Sequence, residues 1–167
     1  FELIDAISQK SHGGSMRYVI SRKKIFKVKN NVKRLLSKEK IDKLHKISSC
    51  YKFKKNCEKS KEKFIAKIKR LKMNGKSICG YAASAKSTTA LNYCGIDHNY
   101  IDFVVDSTKE KIGKFTPGTH IPIKSPNFFK KNYPDIAILN SWNHKKEILK
   151  KESNFIKMGG KWISHVK

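Results

Sequence analysis

The chain has 167 residues, enough for one α/β domain with an attached segment and a real hydrophobic core. Its 38 Lys and Arg against 13 Asp and Glu give a net charge of +25, which gathers polyanions: nucleic acid first, an acidic membrane surface second, phosphorylated metabolites third. No apolar run approaches the ~20 residues of a spanning helix, and the four cysteines lack any CxxC or Cys-x-x-His spacing, which argues against a zinc site and a dithiol redox motif.

Phe1 to Ala6 reads as the middle of a β-strand, so the sequence is expected to be cut from something longer. Residues 1–7 and 15–21 are strand-like and flank a Gly13-Gly14 turn, which predicts a hairpin. Residues 22–48 are densely basic, with short apolar spacings that fit one or two broken surface helices. The charge here has an alternative source, since abundant Lys, Asn, Ile, Ser and Phe is also the mark of an A+T-rich coding bias. From 49 to 73 the apolar positions Phe53, Cys57, Phe64, Ile68 and Leu71 form one helical stripe, expected to pack on a sheet. Asn74-Gly75 is a left-handed cap.

A different texture begins at Lys76. Ser77–Ala82 predicts a buried strand, Ala83–Thr88 a small-residue turn, and Thr88–Tyr93 a short helix closed by Gly95. Ile101–Val105, Ile121–Ile123 and Asp135–Leu139 predict further strands. A helix is expected near Asn127–Lys131 and an amphipathic one over 144–157, before a last strand Lys161–Val166. Buried strands alternating with helices predict an α/β fold, a Rossmann-like and mostly parallel sheet preceded by a hairpin and a helical connector. Cys79 and Cys94 read as buried free thiols, which suits a reducing compartment.

Four segments carry residue types suited to chemistry. In Gly80 to Thr88 a strand runs through small residues into a helix start. Backbone N–H groups there favour an anion, Lys86 adds a full charge, and Ser87 or Thr88 offers a hydroxyl. Asp106 and Trp142-Asn143 end two other strands on the same edge, where open α/β sheets bind ligands. His120 sits in the loop Lys114–Ile123 as a possible acid, base or ligand contact. Ser11–Arg17 holds two glycines that let backbone approach a ligand, flanked by His12 and Arg17. Each has an ordinary alternative: a plain turn with a solvated Lys86, a turn-capping Asp106, a surface His120, an unliganded hairpin. No paired carboxylates and no His, Asp and Glu cluster of metal spacing occur.

These segments, in this order, resemble the S-adenosylmethionine-dependent C-methyltransferases of deoxysugar biosynthesis. The resemblance rests on Ser11–Arg17, Gly80–Thr88, Leu91-Asn92-Tyr93-Cys94-Gly95-Ile96, Phe103–Asp106, Lys114–Ile123, Trp142-Asn143 and Gly159-Gly160-Lys161. It covers nearly the whole chain, with 22–70 alike only in kind. Ala82 and Ser87 stand where the family turn has glycines, and His144 where it usually has an aromatic or aliphatic residue.

The resemblance implies a zinc-binding domain, a methyltransferase core and a C-terminal Rossmann-like domain that helps hold a nucleotide-linked keto-sugar. It places 1–21 at the end of the core, 22–75 in a basic connector and 76–167 in the C-terminal domain. Tyr81, Lys86, Ser87, Thr88, Asp106, His120, Asn143 and Arg17 become candidate substrate contacts. His12 becomes a candidate for the base that the implied enolate chemistry requires. The family's donor-binding, zinc and Tyr-x-Glu-His segments have no match here, so S-adenosylmethionine is expected to bind elsewhere in the full-length enzyme. This chain is expected to be inactive alone, to work in the cytoplasm, and to partner the sugar nucleotide or a separate core polypeptide. No metal, membrane or specific nucleic acid is expected. The rivals are a basic nucleic-acid-binding module and a nicotinamide-dependent Rossmann enzyme; a single glycine in the turn argues against the latter.

Overall fold

A computed structural model describes residues 1–165 and divides the chain into two units, Phe1–Cys57 and Glu58–Lys167. In the first unit, β1 (Glu2–Gln9) pairs antiparallel with β2 (Ser15–Ser21), as the hairpin pattern predicts. A one-turn 3-10 segment, Ser11–Gly13, joins them, and a bulge interrupts the register between Leu3 and Asp5. Helix α1 (Asn30–Ile41) packs on β1, with Val32 and Ala6 buried. Asp5 pins this junction: its buried carboxylate accepts from Lys29 Nζ at 2.9 Å, Asn31 Nδ2 at 3.1 Å and its neighbour's N–H at 2.9 Å. Lys29 foremost holds the Asp5 pKa below the usual carboxylate value.

Helix α2 (Ile47–Met73) contributes its first turns to this unit and the rest to the second. The predicted stripe is buried only in its later part. Phe64 and Ile68 are inside, whereas Phe53 is 70% exposed and Cys57 half-buried. The helix runs about 40 Å, about three times a four-residue strand, so strands this short offer no area for the whole stripe. The cap is as expected: Gly75 has φ +69, and the N–H groups of Gly75 and Lys76 reach back to the Lys72 and Leu71 carbonyls.

The second unit is a five-stranded, wholly parallel sheet in the order β5-β4-β3-β6-β7. Its strands are β3 (Ile78–Tyr81), β4 (Phe103–Val105), β5 (Ile123–Lys124), β6 (Ile136–Leu139) and β7 (Lys161–Ile163). Val166, expected to end the last strand, lies outside the described residues. The chain steps outward from β3 to β5, then returns to the other side of β3 for β6 and β7. The order therefore reverses between β3 and β6, the switch point at which such sheets bind ligands.

Alternation splits each strand between two layers. Ile78, Val104, Ile136 and Ile138 face Phe64 and Ile68 of α2 and Leu91 of α3 (Ala85–Cys94). Cys79, Tyr81, Val105 and Leu139 face Phe129, Ile148 and Phe155, from α4 (Pro126–Lys131), α5 (Lys145–Lys151) and α6 (Ser153–Lys157).

Three expectations need correction. Helix α3 starts at Ala85, three residues before the expected Thr88, because Ser84 caps it. The single helix over 144–157 is a 3-10 turn followed by α5 and α6, broken at Glu152. There the backbone leaves the helical region (φ −106, ψ 35) and the side chain is buried on Tyr81. Cys94 is half-buried, whereas Cys79 is fully inside; burial pushes both thiols above their ordinary pKa. Among the described residues no helix is long and apolar enough to cross a membrane.

Candidate functional site

The C-terminal edge of β3 leads through Ala82-Ala83-Ser84 into α3. Ser84 adopts an extended backbone, and its Oγ accepts from the Ser87 N–H at 3.3 Å. The Ser84 N–H donates to Ser87 Oγ at 2.8 Å, closing a reciprocal capping box. The Ser87 hydroxyl donates to the Ser84 carbonyl at 2.6 Å, and Thr88 Oγ1 donates to the same oxygen at 3.3 Å. Both hydroxyls singled out from the sequence thus serve the cap, and Ser87 is buried.

Lys86 is different. Its Nζ lies 3.3 Å from Asn143 Oδ1 and 5.0 Å from the centre of the Trp142 ring. Asn143 and Trp142 belong to the 3-10 turn that follows β6, so this contact joins the two strands that flank the switch point. An open groove of about 480 Å³ runs along this face, lined by Ala85, Lys86, Thr89, Ala90, Tyr93, Trp142 and His165. Lys61 Nζ lies 4.9 Å from the Tyr93 ring centre. Burial lowers the His165 pKa, favouring the neutral imidazole, and its ring stands 5.8 Å from Phe64. The groove thus pairs aromatic walls with ammonium groups beside the positive end of a ten-residue helix. That combination suits a planar, anionic ligand.

Asp106, directly after β4, braces the turn from below. Its carboxylate accepts from the N–H groups of Ala83 and Thr108, each at 2.8 Å, and from Lys111 Nζ at 3.4 Å. Lys111 also donates to the Ala83 carbonyl at 2.9 Å. Burial pushes the Asp106 carboxyl up, but the Thr108 and Ala83 hydrogen bonds and the Lys111 charge outweigh it and hold its pKa low. Ala82, where the resembled family has glycine, has φ +77.

Tyr81 points the other way. Its hydroxyl donates to Glu152 Oε1 at 2.7 Å, and its ring meets Phe129 and Trp162 at 5.5 and 5.3 Å. Burial first, then Glu152, raises the phenol pKa and keeps it protonated.

His120 is exposed on the Pro117-Gly118 loop with φ +50. Asn92 ties that loop to α3, donating to the carbonyls of Pro117 at 3.0 Å and Thr88 at 2.8 Å. A Cβ on Gly118 would collide with this same Asn92. His12 (φ +54) and Arg17 are exposed on the turn and the second strand of the first unit.

The structure therefore joins Lys86 to Asn143 and sets Asp106 beneath their turn. It turns the Ser87 and Thr88 hydroxyls toward Ser84 and the Tyr81 hydroxyl into the core. Sequence reasoning passed over Tyr93 and His165 as site residues. Tyr93 was within reach, because Lys86, Thr89, Ala90 and Tyr93 fall on one helical face by their spacing. Nothing in the sequence places His165 beside that face.

Two comparisons bear on identity. The chain is 29% identical over 162 residues to C-methyltransferase NovU of Streptomyces niveus, covering 96% of this chain and 39% of that protein. It thus spans about two fifths of the curated relative it matches. The sequence profile described as C-methyltransferase C-terminal domain matches residues 10–166. With that match over almost its full length, the chain belongs to the C-methyltransferase C-terminal domain family.

Proposed function

We propose that this chain is the substrate-holding part of an S-adenosylmethionine-dependent C-methyltransferase acting on a nucleoside-diphosphate-linked keto-deoxysugar. The observation that carries the reading is the Lys86 ammonium beside Asn143 and Trp142 at the switch point, next to the N-terminus of α3. A pyrophosphate would meet the Lys86 charge and the helix dipole, and an aromatic wall would flank the rest of the ligand. Asp106 acts through the turn it braces, and Ser87 and Thr88 act by fixing the helix start. Asn143 and Tyr93 contact the ligand. His120 and Arg17 are further sugar-nucleotide contacts, and His12 is the chain's candidate for the general base. Residues 1–21 belong to the end of the methyltransferase core, 22–75 to the connector and 76–167 to the substrate domain.

The methyl donor is held outside this chain. Rossmann-type nucleotide sites hold a ribose with an acidic side chain at a strand end. Asp106 stands at such a place, but its carboxylate is engaged by Ala83, Thr108 and Lys111. That engagement supports a donor site outside this chain. When bound elsewhere in the enzyme, the donor supplies the methyl group; this chain's share is binding and orientation, with His12 its candidate base, and it does not turn over alone.

The test is a calorimetric titration of the chain with UDP, TDP and GDP sugars, beside random duplex DNA, at low and physiological salt. The expected result is saturable sugar-nucleotide binding that Lys86→Ala weakens about tenfold, the loss of roughly one charge-assisted hydrogen bond. Binding unchanged by Lys86→Ala, or DNA binding that survives physiological salt with sequence preference, would defeat the reading.

A further inference from the structure

The geometry of the first unit points to a docking groove for an acidic amphipathic helix of a partner polypeptide. Leu36, Glu39, Lys40, Leu44 and His45 line a cavity of about 550 Å³ where α1 ends and the chain turns toward α2. Leu36 and Leu44 are 54% and 59% exposed. Ile41 and Ile47, close by in sequence, are 77% and 69% exposed. Leaving this much aliphatic surface in water is unfavourable. Clustered, it marks an interaction site more often than chance exposure. The candidate sugar-nucleotide site makes no use of these residues, so the inference does not depend on that reading.

Charge complementarity selects the occupant. Residues 22–57 hold fourteen lysines and arginines against two acids, Glu39 and Asp42, a net charge of +12. A second copy of the chain brings the same +25 and is repelled. Nucleic acid offers phosphates, but the groove is floored by two leucines, which a phosphate backbone cannot cover. An acyl layer is flat, whereas the leucines line a concavity. A helix with apolar residues at i, i+3, i+4 and i+7 offers the ridge that a concave apolar groove takes. Acidic residues on its flanks meet the surrounding lysines and speed the encounter.

The probe is a fluorescein-labelled peptide of about 18 residues, long enough for about five helical turns, with leucine at those four spacings and glutamate between them. Its anisotropy is followed as the full chain is titrated in at about 150 mM salt, where unpaired surface charges are screened beyond ~8 Å. The expected result is micromolar binding that Leu36→Asp weakens about tenfold or more. The milder Leu44→Ser should weaken it severalfold. A peptide of the same composition with its leucine stripe scrambled should bind about tenfold more weakly. Both leucines are exposed, so circular dichroism and Tm should match the parent chain. Equal affinity for the scrambled peptide, for phosphatidylserine vesicles or for duplex DNA would reduce the surface to a general anion attractor. No binding, or binding indifferent to both leucine variants, would equally overturn the proposal.

Discussion

The sheet of the second unit has two unlike faces. Toward α2 and α3 it is aliphatic, with Ile68, Ile78, Leu91, Val104 and Ile138 in contact and almost wholly buried. Toward α4, α5 and α6 it is aromatic: Phe129 meets Tyr81, Tyr133 and Phe155, and Phe155 meets Trp162. That second face also buries a polar pair, the Tyr81 hydroxyl on Glu152. Aliphatic burial is nearly non-directional, so it sets how firmly the layers hold and says little about orientation. Edge-to-face rings and a buried hydrogen bond fix one arrangement. Tyr81 is the last residue of β3, immediately before the turn that presents Lys86. The directional face therefore anchors the strand end on which the candidate site depends.

The largest effects should come from emptying either layer. Phe155→Ala should cost about 4 kcal/mol, and Ile68→Ala about 3 kcal/mol, through lost transfer energy and the cavity left behind. Phe53→Ala, on the exposed part of the same α2, should stay within about 0.5 kcal/mol. Urea denaturation of the three variants reads this directly. A Phe53 effect as large as that of Ile68 would mean the first turns of α2 are covered in solution.

Next comes the polar pair. Tyr81→Phe removes the donor and leaves the buried Glu152 carboxyl without its partner, at a cost of about 2 kcal/mol. The double change Tyr81→Phe with Glu152→Leu takes away both polar groups and should recover a good part of that loss. A double variant less stable than Tyr81→Phe alone would show that Glu152 has a further role at the break between α5 and α6.

That break shows where the sequence is legible and where it is not. The strands read easily because a parallel strand buried on both faces is a continuous apolar run, as in Ile136–Leu139. Gly75 and Gly95 announce helix ends because both sit at positive φ. Shared placement of Lys86 and Asn143 on one edge follows from topology alone. Their direct contact does not, because 57 residues separate them. The division of 144–157 into two helices was hidden for the same reason: Glu152 answers to Tyr81, 71 positions earlier. Helix periodicity sees only local neighbours. The early start of α3 was hidden otherwise, since Ser87 fills a capping-box place where Glu or Gln is the usual signal. Exposure of Phe53 was invisible because a stripe reports a face and not the extent of what covers it.

A smaller effect distinguishes the two ends of β3 by pH. At the start of the strand, Asp135 accepts from Lys76 Nζ at 2.9 Å and from the Ser77 N–H and hydroxyl at 2.9 and 2.8 Å. Lys76 first, then Ser77, pull its pKa down to about 2. The folded value lies below the unfolded one, so the stabilisation is complete above pH ~4 and is lost as pH falls toward ~2. Lys76 and Asp135 are both more than a third exposed, so screening leaves about 1 kcal/mol. Asp135→Asn should flatten the acid limb of a Tm profile over that window. An unchanged limb would assign it to other carboxylates, Asp106 at the far end of β3 first.

The smallest change should be a gain, and it falls on the turn between the two faces. Ala82 follows Tyr81 and precedes the Asp106-braced Ala83, with its backbone at φ +77. A Cβ in that region crowds the neighbouring carbonyl at a cost of about 1–2 kcal/mol. The conformation is held from several sides. The Ala82 N–H donates to the Val105 carbonyl at 2.8 Å, and its own carbonyl accepts from Asn140 Nδ2 at 3.2 Å. Ala82→Gly relieves the crowding, but glycine gives the unfolded chain more freedom to lose on folding. The balance should be a stabilisation of about 0.5–1 kcal/mol, a rise of about 1–4 °C in Tm. Ala82 lines a cleft with Asp106, Ser107 and Lys151 and is not in the lining of the Lys86 groove, so sugar-nucleotide affinity should hold. A loss of stability would show that the turn relaxes out of the left-handed region in solution. The aromatic face would then not dictate the geometry of the strand end that follows it.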